Sequence, residues 1–417
     1  MKMNLKQGPF DPAHLVVLTT HPIQYQAPLF RALAQQPDMR LTVLYASLKG
    51  AEPTLDEDFG VEYKWDVPLL EGYRWELMEN QARKPAVSTF RGTKVPQLQD
   101  YLQRLSPDAV LVPGWGRRYY VQGMMAAFRL GIPLIIRGEA RLVSGQPLFK
   151  KIVKKTAVAW AMRHAAAVVT IGKRNREFYE WCGVSASRIF ESGYFVDNDF
   201  FADKAREQSA NRRGLRAKWN IPLDATVFLF VGKMIPKKRP LDVLCALDAA
   251  KTNGLGTDRK IFCLMAGDGP LRMQCEDYAG QNRISAAFPG FLNQAELVDA
   301  YVASDCLVLP SDYRETWGLV VNEAMASGLT AIVSDRVGCA ADLIDEGRTG
   351  YTFPFRNVHA LAEHMISLAN DEQRLVRLKR NASRHIANYD LNQATQAIYQ
   401  AFAYVCFSQK KGKAVTV

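Results

Sequence analysis

The chain has 417 residues, 48% hydrophobic and 23% charged, with 53 Lys and Arg against 42 Asp and Glu for a formal charge of +11. That length suits two or three domains with a buried core, and the basic excess suits nucleic acid, an anionic membrane face or a polyphosphate substrate. No apolar run reaches the ~18 residues of a spanning helix, Met1–His14 lacks the apolar core of a signal peptide, and no nucleic-acid module with interleaved aromatics is present. The seven Cys are scattered without metal-ligand spacing, as expected of reduced thiols in a cytosolic protein, and no internal repeat is seen.

In chain order, His14–Thr20 (HLVVLTT) predicts a buried strand. The loop His21-Pro22-Ile23-Gln24-Tyr25-Gln26 follows, with a helix starting near Pro28. Polar residues just past the carboxyl end of a parallel strand face the ligand crevice of an open α/β sheet, so His21, Gln24 and Tyr25 are candidate substrate contacts. Leu41–Ala46 is a second strand. Lys49–Lys94 is charged and weakly periodic, and no function is legible there. Ala109–Val112 is a strand capped by Pro113-Gly114-Trp115-Gly116-Arg117-Arg118, with a helix through Gly123–Leu130. Pro133–Ile136 is the next, ending in Arg137-Gly138-Glu139-Ala140-Arg141. These ends bring Trp115, Arg137 and Glu139 to the side of His21. Arg137 suits a phosphate and Glu139 a hydroxyl; the alternative is a surface ion pair between Glu139 and Arg141.

Between Leu148 and Trp160, the side chains of Leu148, Phe149, Ile152, Val153, Ala157 and Trp160 share one helical face, with Lys150, Lys151, Lys154 and Lys155 opposite. Such a helix either lies on an anionic leaflet or packs its apolar face on the core with its lysines solvated. Ala166–Ile171 and Arg188–Glu191 read as the last strands of this half. Asp197-x-Asp199 superficially resembles a metal-binding pair but reads as linker, as does the Arg-rich stretch to Asn220.

Thr226–Val231 (TVFLFV) opens the second half. It runs into Gly232 and four cations, Lys233, Lys237, Lys238 and Arg239, a corner suited to a diphosphate. Ile261–Ala266 precedes Gly267-Asp268-Gly269-Pro270. Ile284–Phe288 precedes Pro289-Gly290-Phe291. A short helix, Glu296–Ser304, leads into the strand Cys306–Pro310. Its loop carries Glu315, and Gly318 opens a helix with Glu323 about one turn inside. The N–H groups of Trp317, Gly318, Leu319 and Val320 are the unpaired donors of that helix start, an anion site with a carboxylate on each side. Gly318 would also let a ligand approach the backbone. Thr330–Ser334 is a strand. Helices are predicted over Val358–Ala369, Glu372–Asn388 and Leu391–Phe407, before a basic, disordered tail.

Taken together, Ser311–Gly328 (SDYRETWGLVVNEAMASG), Gly232-Lys233 with Lys238, Gly267-Asp268-Gly269-Pro270, Pro289-Gly290-Phe291 and Leu343–Thr352 resemble glycosyltransferase family 4, the retaining nucleotide-sugar transferases of the GT-B fold. The resemblance covers Thr226–Phe353 well and the first half only in its βα rhythm. Lys233 stands where the family has Arg, keeping charge but losing the bidentate fork, and Tyr194-Phe195 replace Asn-Gly at the crossing between domains. The resemblance implies an α/β architecture of two doubly wound Rossmann-like domains facing a cleft. Residues 1–200 would bind acceptor and 201–388 the donor. Residues 389–417 would form a helix packing back on the first domain, plus the tail. It gives Glu315 the sugar hydroxyls, Glu323 the ribose, Lys238 and Lys233 the charge of the departing diphosphate, and Gly232, Gly267 and Gly290 the close approach of the nucleotide. His21, Gln24, Tyr25, Trp115, Arg137 and Glu139 would face the acceptor. No metal or other cofactor is expected if the lysines neutralise the phosphates. The expected setting is surface-polysaccharide biosynthesis on a glycan or lipid-linked glycan, in the cytoplasm and peripheral to the membrane. The alternatives are a nucleotide-sugar epimerase, a glycan phosphorylase or a non-catalytic nucleotide-binding module.

Overall fold

The computed structural model describes residues 12–51, 54–56, 61–63, 68–142, 158–252 and 261–414. Two sheets organise them. The first is seven parallel strands in the order β5-β2-β1-β6-β7-β8-β9: β1 (Ala13–Thr19), β2 (Met39–Tyr45), β5 (Trp75–Leu77), β6 (Ala109–Val112), β7 (Leu134–Ile136), β8 (Ala167–Thr170) and β9 (Ile189–Glu191). A separate antiparallel pair joins β3 (Thr54–Asp56) and β4 (Val61–Tyr63). The second sheet is six parallel strands in the order β12-β11-β10-β13-β14-β15: β10 (Thr226–Val231), β11 (Ile261–Ala266), β12 (Ala286–Gly290), β13 (Cys306–Leu309), β14 (Thr330–Ser334) and β15 (Gly350–Phe353).

Both sheets are buried on two faces, which is why their strands are continuous apolar runs. In β1, Leu15 and Val17 enter one core cluster and Val16 and Leu18 another. In β10, Val227, Leu229 and Val231 face one side and Phe228 and Phe230 the other. The strand order reverses between β1 and β6, and again between β10 and β13. A ligand crevice opens outside the carboxyl ends at such switch points.

The chain crosses between the sheets after Glu191. The Arg-rich stretch predicted as linker is two helices, Asn198–Ser209 and Arg212–Lys218; the first packs on Gln294–Ala303 and Val320–Ala326. Asp197 caps its helix, accepting from the Phe200 N–H at 3.0 Å. The predicted boundary at residue 200 therefore falls inside a helix. The last helix, Leu391–Ala414, packs on Gln26–Ala34, β8 and β9, burying Ala394, Ala397, Ile398, Ala401, Phe402 and Val405. It runs through the basic segment predicted as a disordered tail. Lys150, Lys151, Lys154 and Lys155 lie outside the described residues. Trp160, predicted on that helix's apolar face, is 54% exposed. No helix among the described residues is long and apolar enough to cross a membrane.

His14 in β1 is buried, with Nε2 2.9 Å from Thr42 Oγ1 and Nδ1 without a partner. Burial first, then the charge of Arg40, lowers its pKa to about 4. The native state therefore resists protonation where the unfolded chain, near 6.5, accepts it. Above pH 6.5 this group costs nothing. Between 6.5 and 4 stability is expected to fall by about 3 kcal/mol more in the wild type than in His14→Gln. Urea unfolding at stepped pH measures it, and parallel curves for the two proteins would refute it.

Candidate functional site

The loops after β10, β11 and β12 are tied together by backbone hydrogen bonds: Gly232 N–H to Ala266 O at 3.0 Å, Met234 N–H to Asp268 O at 2.7 Å, and Gly267 N–H to Gly290 O at 2.8 Å. At Gly267 (φ +137°) an added Cβ would sit 2.0 Å from Gly232 O, so the glycine serves packing between adjacent turns as well as any ligand. Gly232 lies under Lys238, whose side-chain carbons and Nζ would stand 3.5–3.8 Å from a Cβ there. Lys233 is half-buried beside it.

The loop after β13 closes on this corner. Asp312 N–H donates to Lys237 O at 3.0 Å, which brings Glu315 Oε2 to 2.6 Å from Lys238 Nζ and 3.7 Å from Lys237 Nζ. Glu315 is 8% exposed. Burial pushes its pKa up, but Lys238 and Lys237 outweigh it and hold the carboxyl below its usual range. Glu323 behaves oppositely. Burial dominates and raises its pKa, against the Tyr301 hydroxyl that donates to Oε2 at 2.7 Å and the charge of Lys238. The two carboxylates thus differ in charge affinity around one lysine.

The helix after Gly318 begins at Val320. Gly318 (φ +102°) is needed for its backbone and for room: a Cβ would meet Leu309 at 2.7 Å and Val337 at 3.2 Å. The Trp317 ring turns away from the anion corner. It is 3% exposed, donates Nε1–H to Asn322 Oδ1 at 2.8 Å, and packs at a tilt against Tyr194 and Tyr389. Asn322 Nδ2 in turn donates to Tyr194 O at 2.9 Å. Leu319 and Val320 are half-buried.

On the first sheet, Thr20 Oγ1 is 2.9 Å from His21 Nδ1. Burial, then the charges of Lys49 and Arg117, lowers the His21 pKa to about 4, so its imidazole is neutral near pH 7. Gln24 is half-buried. The Tyr194 hydroxyl lies 2.5 Å from Glu139 Oε1 and 2.9 Å from the Tyr25 hydroxyl. With its one proton given to the carboxylate, it accepts from Tyr25. Glu139 Oε2 accepts from Thr316 Oγ1 at 2.9 Å, across the cleft and one residue from Glu315. The alternative Glu139–Arg141 pair does not form. Arg141 instead donates Nη2–H to Arg336 O at 2.7 Å and to Tyr313 O. Arg137 is 6% exposed beneath the rings of Tyr194 and Phe195, with Nε and Nη2 unpartnered. Trp115 stacks on Phe178.

Two further residues that join the two halves, Lys173 and Arg174, carry no sequence signal. Arg174 donates to Val337 O and Asp335 O, each at 3.0 Å, and the Lys173 N–H to Asp342 Oδ1 at 3.0 Å. Gly172 has no side chain because Trp317 stands 2.5 Å from where Cβ would be. The structure thus brings together Lys238, Glu315, Thr316 and Glu139 from both halves.

Residues 211–385 match the model of the family described as Glycosyl transferases group 1. The chain is 30% identical over 193 residues to D-inositol 3-phosphate glycosyltransferase of Corynebacterium glutamicum (45% of this chain, 44% of that one). It is 36% identical over 330 residues to sulfoquinovosyl transferase SQD2 of Arabidopsis thaliana (76% of this chain, 61% of that one). It thus spans less than two thirds of either relative. Among solved structures, Anabaena HepE in complex with UDP-glucose superposes with a TM-score of 0.65 at 15% identity, covering 94% of this chain and 99% of that one. The two parallel sheets and their helices are the GT-B fold, two Rossmann-like domains.

Proposed function

Since the chain belongs to the GT4-type glycosyltransferases of the GT-B fold, we propose that it moves a sugar, with retained anomeric configuration, from a nucleoside diphosphate to a glycan or lipid-linked glycan acceptor. The relatives named above are glycosyltransferases, and HepE was crystallised with UDP-glucose, which favours a nucleotide-sugar donor. The observation that carries the reading is the Lys238–Glu315 contact of 2.6 Å, buried at the switch point between β10 and β13.

As the glycosidic bond stretches, positive charge grows on the sugar and negative charge on the diphosphate. Lys238 and Lys233 stabilise the second charge where it develops. Glu315, kept anionic beside Lys238 and Lys237, accepts hydrogen bonds from sugar hydroxyls. Tyr301 engages one oxygen of Glu323, leaving the other for a ribose hydroxyl. Neutral His21 and Glu139, on the facing domain, meet the acceptor. The lysines take the part that a metal plays in other transferases, so no metal is assigned. Surface-polysaccharide synthesis at the cytoplasmic membrane face is the setting we favour.

Calorimetric titration with UDP-, GDP- and ADP-sugars, with and without EDTA, tests the donor site. One nucleotide is expected to bind at micromolar concentration, unaffected by EDTA, and to lose at least about tenfold in affinity in both Glu323→Ala and Lys238→Ala, as removal of a charged hydrogen bond would cause. No binding by any of them overturns the reading. Release of nucleotide together with an epimerised sugar, in the absence of acceptor, would assign the fold to an epimerase instead.

A further inference from the structure

Past the carboxyl ends of β7, β13 and β14 the two halves enclose a pocket of about 280 Å³. Arg141, Arg174 and Glu177 reach it from the first half, and Tyr313, Asp335 and Arg336 from the second. None of Lys233, Lys237, Lys238 or Glu315 lines it, so it is not the diphosphate corner.

Three guanidinium groups converge there, and the protein answers two of them with carbonyl oxygens alone. Arg141 is 7% exposed, and its Nη2 donates to Arg336 O at 2.7 Å and to Tyr313 O. Arg174 donates to Val337 O and Asp335 O. Neither pairs with a carboxylate among the described residues, and a carbonyl dipole does not neutralise a cation. Burial first, then the charge of Arg174, lowers the Arg141 pKa to about 10. The third group, Arg336, is exposed, with Nε 3.6 Å from Asp335 Oδ1, too long for a hydrogen bond. That carboxylate oxygen already accepts the Phe355 N–H at 3.0 Å. An oxyanion would relieve the mutual repulsion of these cations, and the planar fork of arginine matches phosphate and carboxylate.

The rest of the lining argues against a bare anion. Glu177 and Asp335 are exposed at the pocket, where carboxylates accept hydrogen bonds from hydroxyl groups. Tyr313 is 49% exposed and offers a ring face beside them. The volume lies near the lower end for small-molecule sites, about 300 Å³, which suits one sugar ring with its substituent.

We infer that this pocket seats an anionic sugar, a unit bearing a phosphate or a carboxylate. Arg141, Arg174 and Arg336 meet the charged group, and Glu177 accepts from hydroxyls. Arg141 and Tyr313 are each two residues from Glu139 and Glu315, so the pocket adjoins the place of transfer. The bound sugar then belongs to the acceptor, an assignment that rests on the function proposed above.

The test is calorimetric titration of the full chain with inorganic phosphate, glucose 6-phosphate, methyl glucuronide and neutral methyl glucoside. Each is repeated in Lys238→Ala, which weakens the diphosphate corner as a competing anion site. Glucose 6-phosphate or methyl glucuronide is expected to bind at least about tenfold more tightly than methyl glucoside, in both proteins. The tighter of the two names the charged substituent. Arg336→Ala is expected to lower that affinity about tenfold. Glu177→Gln removes a like charge and is expected to raise the affinity for inorganic phosphate, a gain that a purely structural arginine cluster does not predict. Both exchanged side chains are exposed, so an unchanged thermal midpoint confirms folding. Equal binding of charged and neutral sugars overturns the proposal. So does unchanged affinity in Arg336→Ala, or anion binding that disappears in Lys238→Ala. Donor titration keeps the two readings apart. Anion binding without donor binding removes the transferase reading and leaves the pocket, while donor binding without anion binding overturns the pocket alone.

Discussion

Replacing Lys238 by alanine is expected to slow sugar release from a bound nucleoside-diphosphate sugar by about 10²–10³-fold, the loss typical when one preorganised partner of a developing charge is removed. The position justifies a large number. Lys238 is 15% exposed at its side chain, crosses over Gly232 and touches a carboxylate that is itself 11% exposed. Water is poorly placed to substitute for it. Removal also leaves Glu315 buried with only Lys237, at 3.7 Å, to hold its charge. The Glu315 pKa should then rise, because burial is the largest influence on it and the strongest opposing one is gone. Lys238→Arg separates the two functions: it restores charge, so donor affinity largely returns, while the bulkier fork over Gly232 leaves turnover depressed. Donor hydrolysis without acceptor, followed with donor binding by calorimetry, gives both quantities. A Lys238→Ala protein that hydrolyses donor within a few-fold of the wild type would remove the lysine from the chemistry.

The sequence located this corner because the signals there are local. In β10, β11, β13 and β14 runs of Val, Ile, Leu and Phe stop at turn residues, so a buried strand and its loop are both visible. What it could not reveal are meetings set by the fold. Arg141 sits two residues from Glu139 in the chain, yet past the end of β7 the two diverge: one spans to Tyr313 and Arg336, the other to Tyr194 and Thr316. The sequence offers Trp317 for its backbone N–H, whereas its ring fills the joint between the halves. Asn198–Lys218 looked like linker because it is highly charged. Its helices hold only Phe201, Ala205, Leu215 and Arg216 buried, too few for a clear apolar stripe.

That buried arginine leads to the largest stability effect expected of this chain. Asp305 stands at the amino end of β13, the far end of the strand from Glu315. Its Oδ1 meets Arg212 at 2.7 Å and Lys379 at 3.5 Å. Its Oδ2 meets Arg216 at 2.9 Å and the Val227 N–H at 3.0 Å. Arg216 also donates to Ala303 O, Leu223 O and Ala225 O, pinning the helix before β10 to the sheet. Burial pushes the Asp305 pKa up, yet Lys379, Arg212, the Val227 amide and Arg216 together hold it below the usual range. Its contribution is therefore complete above about pH 4 and is lost only as pH falls through the native value. Asp305→Ala leaves the Arg216 side chain, 6% exposed, without a counter-charge and the Val227 N–H without its side-chain acceptor. Breaking such a pair from one side costs about 3–5 kcal/mol. Asp305→Asn keeps one oxygen for the amide or one guanidinium and should cost less. Urea unfolding at pH 7 measures both. A cost under about 1 kcal/mol for the alanine variant, the size of a surface pair, would mean that water replaces the carboxylate and that the network does not hold the second domain together.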